Sequence, residues 1–236
     1  MSIAFTWLGH SAFSLNIDGY HVLIDPFLTH NPLAPISAED VQADVILISH
    51  AHDDHLGDAV DIAKRTGAIV ASNFEIGNWL EAQGVENVRH MNPGGTLDLG
   101  WLQVKWTIAH HSSSLPDGSY GGEPNGLIIT GGGSKLYFAG DTSLFLDMQL
   151  IGDEGLDVAF LPIGDRFTMG IQDSIKAIEL LRPRMVVPMH YNTFEAIVQD
   201  VVQWAQNVHN NTPASPIVLH SRPRNVGESV SQASAY

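Results

Sequence analysis

The sequence predicts an α/β fold, and three features of the chain support this prediction. Short apolar segments of strand length recur to about residue 219, and segments with helical periodicity lie between them. Clusters of Gly, Pro and Asp separate these segments, as expected of turns. Histidine or aspartate directly follows several of the apolar segments. Because ligands of α/β proteins bind beyond the carboxyl ends of strands, the third feature also indicates a functional site.

The N-terminal part is predicted to contain a strand at residues 3–7 and then a β-hairpin. Residues 14–17 and 21–24 form the two strands of this hairpin, and Asp18-Gly19 is a typical turn between them. The proline-containing residues 27–43 are predicted to be a loop.

The middle of the chain begins with residues 45–48, a short and wholly apolar segment that predicts a strand covered on both faces. Residues 112–125 are rich in Ser, Gly and Pro and are predicted to be a mobile loop. Between these two segments, periodicity and end signals predict helices at 58–65 and 75–83 and strands at 69–71 and 101–109.

The C-terminal part is predicted to open with a hairpin whose turn is Gly131-Gly132-Gly133. The chain after Pro223 is predicted to be loosely ordered. Between them we expect strands at 126–130, 135–138, 158–161, 185–187 and 217–219, a helix at 174–181 with Asp173 as its N-cap, and a helix at 195–208.

Composition excludes several classes of protein. The 236 residues suit a single domain over 1–236, and the absence of Cys excludes disulfides and thiolate metal sites. With a net charge of -15 and only 11 Lys and Arg residues, the chain is poorly suited to long nucleic acid. Neither a signal peptide nor a membrane span is expected, so we expect a cytoplasmic protein. Homo-oligomerisation is left open.

The segment His50-Ala51-His52-Asp53-Asp54-His55 places four metal-ligating side chains within six residues. In extended or turning backbone His50 and His52 point to the same side and can chelate one ion. Asp54 and His55 follow around the turn and can reach a second ion. Imidazole and carboxylate ligands suit zinc, and also manganese, iron or nickel. The alternative is a solvated polar loop, but this spacing has no packing purpose.

These residues resemble the metallo-β-lactamase superfamily, whose motif is H-x-H-x-D-H after a buried strand. The resemblance covers about residues 3–220 and is strongest to uncharacterised metal-dependent hydrolases related to L-ascorbate-6-phosphate lactonase. It implies an αββα four-layer sandwich, in which two mixed β-sheets lie face to face with helices outside. The further segments that carry it are Trp7-Leu8-Gly9-His10-Ser11, Leu23-Ile24-Asp25-Pro26-Phe27, Ala109-His110-His111-Ser112-Ser113, Phe138-Ala139-Gly140-Asp141-Thr142, residues 162–170 and residues 188–194.

The resemblance also implies two divalent metal ions, with zinc expected and manganese, iron or nickel as alternatives. The first ion is assigned to His50, His52 and His111, and the second to Asp54, His55 and His190. Asp141 is expected to bridge the two ions opposite a water or hydroxide. All seven ligand positions are retained in this sequence, which disfavours a member of the family that has lost catalysis.

The sequence allows two roles for each of four further residues. His110 competes with His111, but adjacent strand residues point to opposite faces and the family pattern places the ligand before Ser, which favours His111. Asp25 either supports the metal loop by accepting hydrogen bonds or only forms a turn before Pro26. His10 either binds a substrate oxyanion or leaving group or is a strand-end residue without a role. Arg166 either favours an anionic substrate or is solvated.

The expected function is therefore hydrolysis of a small lactone, ester or phosphodiester by a hydroxide that bridges two metal ions. Asp54 is expected to orient the hydroxide and move its proton, with His10 assisting. A nuclease or RNA-processing activity and metal binding without turnover are the alternatives. A di-iron redox activity is disfavoured, because such members carry Glu where this chain has His52.

Overall fold

The computed structural model describes residues 3–220, and the strands of this part form two mixed β-sheets. In the first sheet the strands follow chain order; β1 to β3 are antiparallel, and β3 to β6 are parallel. The predicted loose tail after Pro223 lies outside the described residues. The six strands are β1 (Ile3–Trp7), β2 (Phe13–Ile17), β3 (Tyr20–Ile24), β4 (Val45–Leu47), β5 (Ile69–Asn73) and β6 (Val88–Met91).

The second sheet has the order β13-β12-β11-β10-β9-β8-β7. It is antiparallel from β7 to β10 and parallel from β10 to β13. The hairpin predicted across Gly131-Gly132-Gly133 is β9 and β10. The strands are β7 (Thr96–Asp98), β8 (Leu102–Ile108), β9 (Asn125–Gly131), β10 (Ser134–Phe138), β11 (Val158–Pro162), β12 (Met185–Met189) and β13 (Ser215–Pro216).

Helices cover the outer face of each sheet. Side chains of β4 point alternately to its two faces. Leu47 therefore packs in the apolar core formed by residues of both sheets, and Ile46 packs in the core under α2 and α3. α5 and α6 bury Ile178 and Trp204 against the second sheet. The helices are α1 (Asp53–Leu56), α2 (Ala59–Thr66), α3 (Phe74–Ala82), α4 (Met148–Gly152), α5 (Ile171–Leu181) and α6 (Val201–Asn211), with a 3-10 turn at Glu195–Ile197.

Aromatic side chains join the two sheets. The rings of Phe13 and Phe5, from the first sheet, lie with their centroids 4.7 and 5.2 Å from that of Phe160 in the second. Edge-to-face contacts of this kind add to the burial of apolar area. The result confirms the predicted αββα sandwich. No helix within residues 3–220 has both the length and the apolar character needed to cross a bilayer.

Several elements differ from their sequence predictions. The helix predicted over 195–208 is a 3-10 turn followed by α6, because the Asp200 side chain accepts a hydrogen bond from the Gln203 amide and caps a new helix start. α5 begins at Ile171 with Gly170 as N-cap, so Asp173 lies in the first turn. The last strand pairs at Ser215–Pro216 instead of 217–219. β6, β7, α1 and α4 were not predicted, since each is too short for a clear period.

Residues 112–125 fold into a loop with its own hydrogen bonds. An isolated bridge pairs Ser114 with Tyr120. The side-chain Nδ2 of Asn73 donates to the carbonyls of Gly121 and Glu123, at 2.7 and 3.0 Å. Its side-chain oxygen also accepts from the Ile76 amide at 2.9 Å and so caps α3. One buried side chain therefore attaches the predicted mobile loop to the first sheet.

We expect Asn73→Ala to lower the free energy of unfolding by about 1–3 kcal/mol, because it removes a helix cap and leaves two carbonyls without their donor. Urea unfolding measures this change. The control is Asn87→Ala, which removes an exposed hydrogen bond to the Gly67 carbonyl and is expected to change stability by no more than about 0.5 kcal/mol. Equal losses in both variants would contradict the role of Asn73.

Candidate metal centre

The first group of potential ligands is His50, His52 and His111. Each offers a ring nitrogen, and the three nitrogens lie within 4.8 Å of one another. His50 Nε2 and His52 Nδ1 are 3.0 Å apart. His50 follows β4 of the first sheet and His111 follows β8 of the second. The group therefore lies where the carboxyl ends of the two sheets meet.

The second group is His10, Asp54, His55 and His190, whose ligand atoms also lie within 4.8 Å of one another. His10 follows β1, Asp54 and His55 lie on α1, and His190 follows β12. His10, His55 and His190 are at most 3% exposed. Burial lowers the pKa of His10 to about 4, although a hydrogen bond with Asp54 opposes this shift.

Asp141 lies between the two groups. Its Oδ1 is 3.3 Å from His55 Nε2, and its Oδ2 is 3.0 Å from His190 Nε2 and 3.5 Å from His111 Nε2. Gly140 precedes it with φ +62°, and a Cβ there would lie 2.6 Å from the Asn125 carbonyl oxygen. Only glycine fits this turn without strain. The carboxylate thus contacts members of both groups.

Asp25 orients one histidine in each group. Its buried carboxylate accepts hydrogen bonds from the Ser49 amide at 2.8 Å, from Ser49 Oγ at 2.6 Å and from His55 Nδ1 at 2.7 Å. Ser49 Oγ is 3.0 Å from His50 Nδ1. Because the Ser49 hydroxyl proton is donated to Asp25, its oxygen accepts the His50 Nδ1–H. His50 and His55 then both direct Nε2 to the site.

Two buried polar atoms of the site indicate that a metal ion fits it. Within the described residues, His55 Nε2 and Asp141 Oδ1 are buried and have no hydrogen-bond partner. With His55 Nδ1 donating to Asp25, a neutral His55 directs its Nε2 lone pair at Asp141 Oδ1. Two buried acceptors that face each other are unfavourable, and either a proton on His55 or a bound cation satisfies both. The imidazole and carboxylate donor set matches that of zinc sites.

The charges of the site favour a cation in the same place. Burial lowers the pKa of His50, His52 and His111, so these imidazoles are neutral at neutral pH and can act as ligands. Burial acts against the ionised Asp141, but His190 and His55 hold its pKa well below the usual range. Burial also lowers the pKa of His55, but Asp141 and Asp25 outweigh it and raise that pKa. Positive charge is therefore favoured beside Asp141.

Comparisons with known proteins agree with this geometry. The family model described as "Beta-lactamase superfamily domain" matches residues 4–190. A UPF0173 metal-dependent hydrolase of Thermus thermophilus is 54% identical over 202 residues, which are 85% of this chain and 88% of the relative. Another, from Methanopyrus kandleri, is 49% identical over 207 residues, or 86% of this chain and 90% of the relative.

The chain belongs to the UPF0173 metal-dependent hydrolases of the β-lactamase superfamily. As a member of this family it is an enzyme, a metal-dependent hydrolase. A solved structure described as a novel metallo hydrolase, Igni18 of the archaeon Ignicoccus hospitalis, superposes with a TM-score of 0.85 at 41% identity. The superposition covers 93% of this chain and 95% of that one.

In this metal-dependent hydrolase the structure brings all seven sequence-assigned ligands to one place, together with His10. His110 lies outside both groups, because its exposed ring packs against Phe145 at 4.9 Å between centroids. Its amide donates to Thr142 Oγ1, which attaches this loop to the turn that carries Asp141. Arg166 is exposed, and its guanidinium lies 5.5 Å from the Phe167 ring centroid.

Two contributors to the hydrolase site were not assigned from the sequence. Ser49 connects Asp25 to His50, and Thr193 Oγ1 lies 2.9 Å from His10 Nδ1. The sequence could have indicated the role of Ser49, because this residue directly precedes His50. It could not have indicated the role of Thr193, because 183 positions separate Thr193 from His10 in the chain.

Backbone conformation at the site is unusual. His10, Asp25 and His190 have φ values of +55°, +44° and +54°. Left-handed conformations of non-glycine residues are unfavourable and persist where surrounding contacts impose them. Here the His10 carbonyl accepts from the His190 amide at 3.1 Å, so the two loops hold each other.

We expect His111→Ala to reduce bound metal and hydrolysis strongly, because it removes a ligand atom next to Asp141. The adjacent His110→Ala is a matched control and should retain both, since its ring lies outside the site. Elemental analysis and turnover of a reactive ester measure the two effects. Loss of metal from His110→Ala with retention in His111→Ala would reverse this assignment.

We expect Asp25→Asn to weaken metal binding by about 10- to 100-fold, as is usual for residues that orient a metal-binding histidine. An amide in this position presents N–H toward His55 Nδ1 and favours the tautomer that lacks the Nε2 lone pair. Zinc competition against a chelator measures the affinity. Asp44→Asn, which alters an exposed carboxylate that accepts from the His21 amide, is expected to bind zinc as the unmodified protein does.

Proposed function

We propose that this hydrolase uses two divalent metal ions, with zinc as the expected metal, to cleave a small lactone, ester or phosphodiester. The observation that carries the proposal is the position of Asp141, whose carboxylate contacts His111 of one ligand group and His55 and His190 of the other. His50, His52 and His111 would hold the first ion. Asp54, His55 and His190 would hold the second, with Asp141 shared.

Bound divalent ions supply a water of lowered pKa as the nucleophile and polarise the scissile carbonyl or phosphoryl oxygen. The chain keeps the ligands in the form that this chemistry needs. Asp25 and Ser49 accept the Nδ1 protons of His55 and His50 and so direct Nε2 of each ring toward the site, and burial favours neutral His50.

Asp54 is the proposed proton carrier. Burial raises the pKa of its carboxyl group, but the hydrogen bond with His10 and the charge of His55 outweigh burial and hold the pKa well below the usual range. The ionised carboxylate, 34% exposed, can accept a proton at an oxygen and return it to the leaving group. His10 donates to Asp54 and holds it in place.

A small substrate suits the surroundings of the second ligand group. Phe194 is 42% exposed and its ring centroid lies 5.6 Å from that of His10. The ring centroid of Phe27 lies 6.4 Å from that of Phe194. An apolar part of the substrate could pack against Phe194 while the scissile group lies over the ligands. The net charge of -15 disfavours a long phosphate backbone.

The test combines metal content with a substrate screen on tag-free protein. We expect about two ions per wild-type chain, as in other paired-metal hydrolases, and clear losses in His52→Ala and Asp141→Ala. The panel contains lactones, carboxylic esters, phosphomonoesters, phosphodiesters and a short RNA.

The outcomes separate the candidate functions. Metal-dependent turnover of a small lactone, ester or phosphodiester, lost in both variants, supports the proposal. Two bound ions with no turnover of any panel member would favour metal binding without catalysis. Preferential cleavage of RNA would favour a nuclease. Wild-type protein that stays metal-poor after supplementation with zinc, manganese, iron and nickel would overturn the paired-metal site.

A further inference from the structure

His10 has a polar partner on each side of its ring. Nε2 lies 3.2 Å from Asp54 Oδ2, and Nδ1 lies 2.9 Å from Thr193 Oγ1. His10 is fully buried and Thr193 is 7% exposed. The three side chains thus form a chain of hydrogen bonds from the loop after β12 to helix α1.

The direction of these hydrogen bonds follows from donor and acceptor chemistry. An ionised carboxylate only accepts, so His10 Nε2 carries the proton that it shares with Asp54. A neutral imidazole has one N–H, and Nδ1 is then an acceptor. The Thr193 hydroxyl must donate to it. The other acceptor near this hydroxyl, the Tyr191 carbonyl, is more distant at 3.4 Å.

We propose that Thr193 is a positioning residue: its hydroxyl donates to His10 Nδ1, keeps the ring turned with Nε2–H toward Asp54, and thereby holds the Asp54 carboxylate against the second ligand group. This inference rests on the proposed function, in which Asp54 binds the second ion and carries the proton. Within the described residues, the Thr193 hydroxyl has hydrogen-bond partners in His10 and the Tyr191 carbonyl, and neither is one of the seven assigned ligands. Its effect passes through the His10 ring.

The surrounding contacts leave the His10 ring little freedom to compensate. The His10 carbonyl accepts from Trp7 Nε1 at 2.8 Å and from the His190 amide at 3.1 Å. Trp7 stacks on Tyr191 with ring centroids 5.4 Å apart. The backbone on both sides of the hydrogen bond is therefore held, and the Thr193 hydroxyl supplies the contact that keeps the ring turned with Nε2–H toward Asp54.

The variants Thr193→Val and Thr193→Ser form a matched pair. Valine keeps the shape of threonine but has no hydroxyl, whereas serine keeps the hydroxyl. We expect Thr193→Val to weaken binding of the second zinc ion by about tenfold or more, and Thr193→Ser to remain within about twofold of the wild type. Stepwise zinc competition against a chelator gives both affinities, and the first ion should bind equally in all three proteins.

A second readout does not depend on metal or turnover. Long-range ¹H–¹⁵N correlation spectra of metal-free, ¹⁵N-histidine-labelled protein show which nitrogen of His10 is protonated, and His10→Gln identifies the signal. We expect an unprotonated Nδ1 in the wild type and in Thr193→Ser, and a changed Nδ1 signal in Thr193→Val.

Several results would overturn the inference. A protonated Nδ1 in the wild type would mean that Thr193 accepts and that Nε2 is free to bind metal itself. Wild-type affinity in Thr193→Val, or an equal loss in Thr193→Ser, would also contradict it. Fewer than two ions in the wild type would instead refute the proposed function, and the His10 spectrum would still decide the role of Thr193.

Discussion

The buried carboxylate of Asp25 is the interaction on which the site depends most. It lies at the end of β3, is fully buried, and accepts three hydrogen bonds from Ser49 and His55. A buried charge is unfavourable unless its acceptor positions are satisfied. These hydrogen bonds satisfy them and, at the same time, attach the end of β4 and helix α1 to the end of β3. The electrostatic requirement of one side chain thereby sets the orientation of His50 and His55.

The two sheets make different contributions to the metal centre. The first sheet supplies the segment from His50 to His55, and hydrogen bonds to Asp25 attach both ends of this segment to the end of β3. The second sheet supplies His111, Asp141 and His190 from the ends of three separate strands. The aromatic core between Phe13 and Phe160 keeps the sheets in contact, so apolar packing at some distance from the site determines whether its two halves meet.

The fold and the family together identify the class of reaction, but they do not identify the substrate. A sandwich of this kind supports several reactions, and the reaction depends on the groups at the site. The ligand set lies on strand ends and on α1, which are well supported by neighbouring hydrogen bonds. Phe194, which we propose contacts the substrate, and the loop of residues 112–125 lie on connecting segments. On that proposal, selectivity depends on segments outside the regular strands and helices.

The sequence by itself determined the features that depend on local patterns. The hairpin of β2 and β3 follows from alternation and the turn at Asp18-Gly19, and β4 follows from its apolar run. The spacing from His50 to His55 indicated a metal site without any long-range information. The resemblance to a known family then assigned His111, Asp141 and His190, which no local pattern connects to that segment.

Tertiary structure alone decided the features that depend on contacts between distant segments. β6 and β7 are too short to show a period, and they exist because neighbouring strands pair with them. The contact of Thr193 with His10, and the position of Asp141 between two ligand groups, arise only when the two sheets pack. Hydrogen bonds of this kind depend on distances in space, and the spacing of residues along the chain carries no information about them.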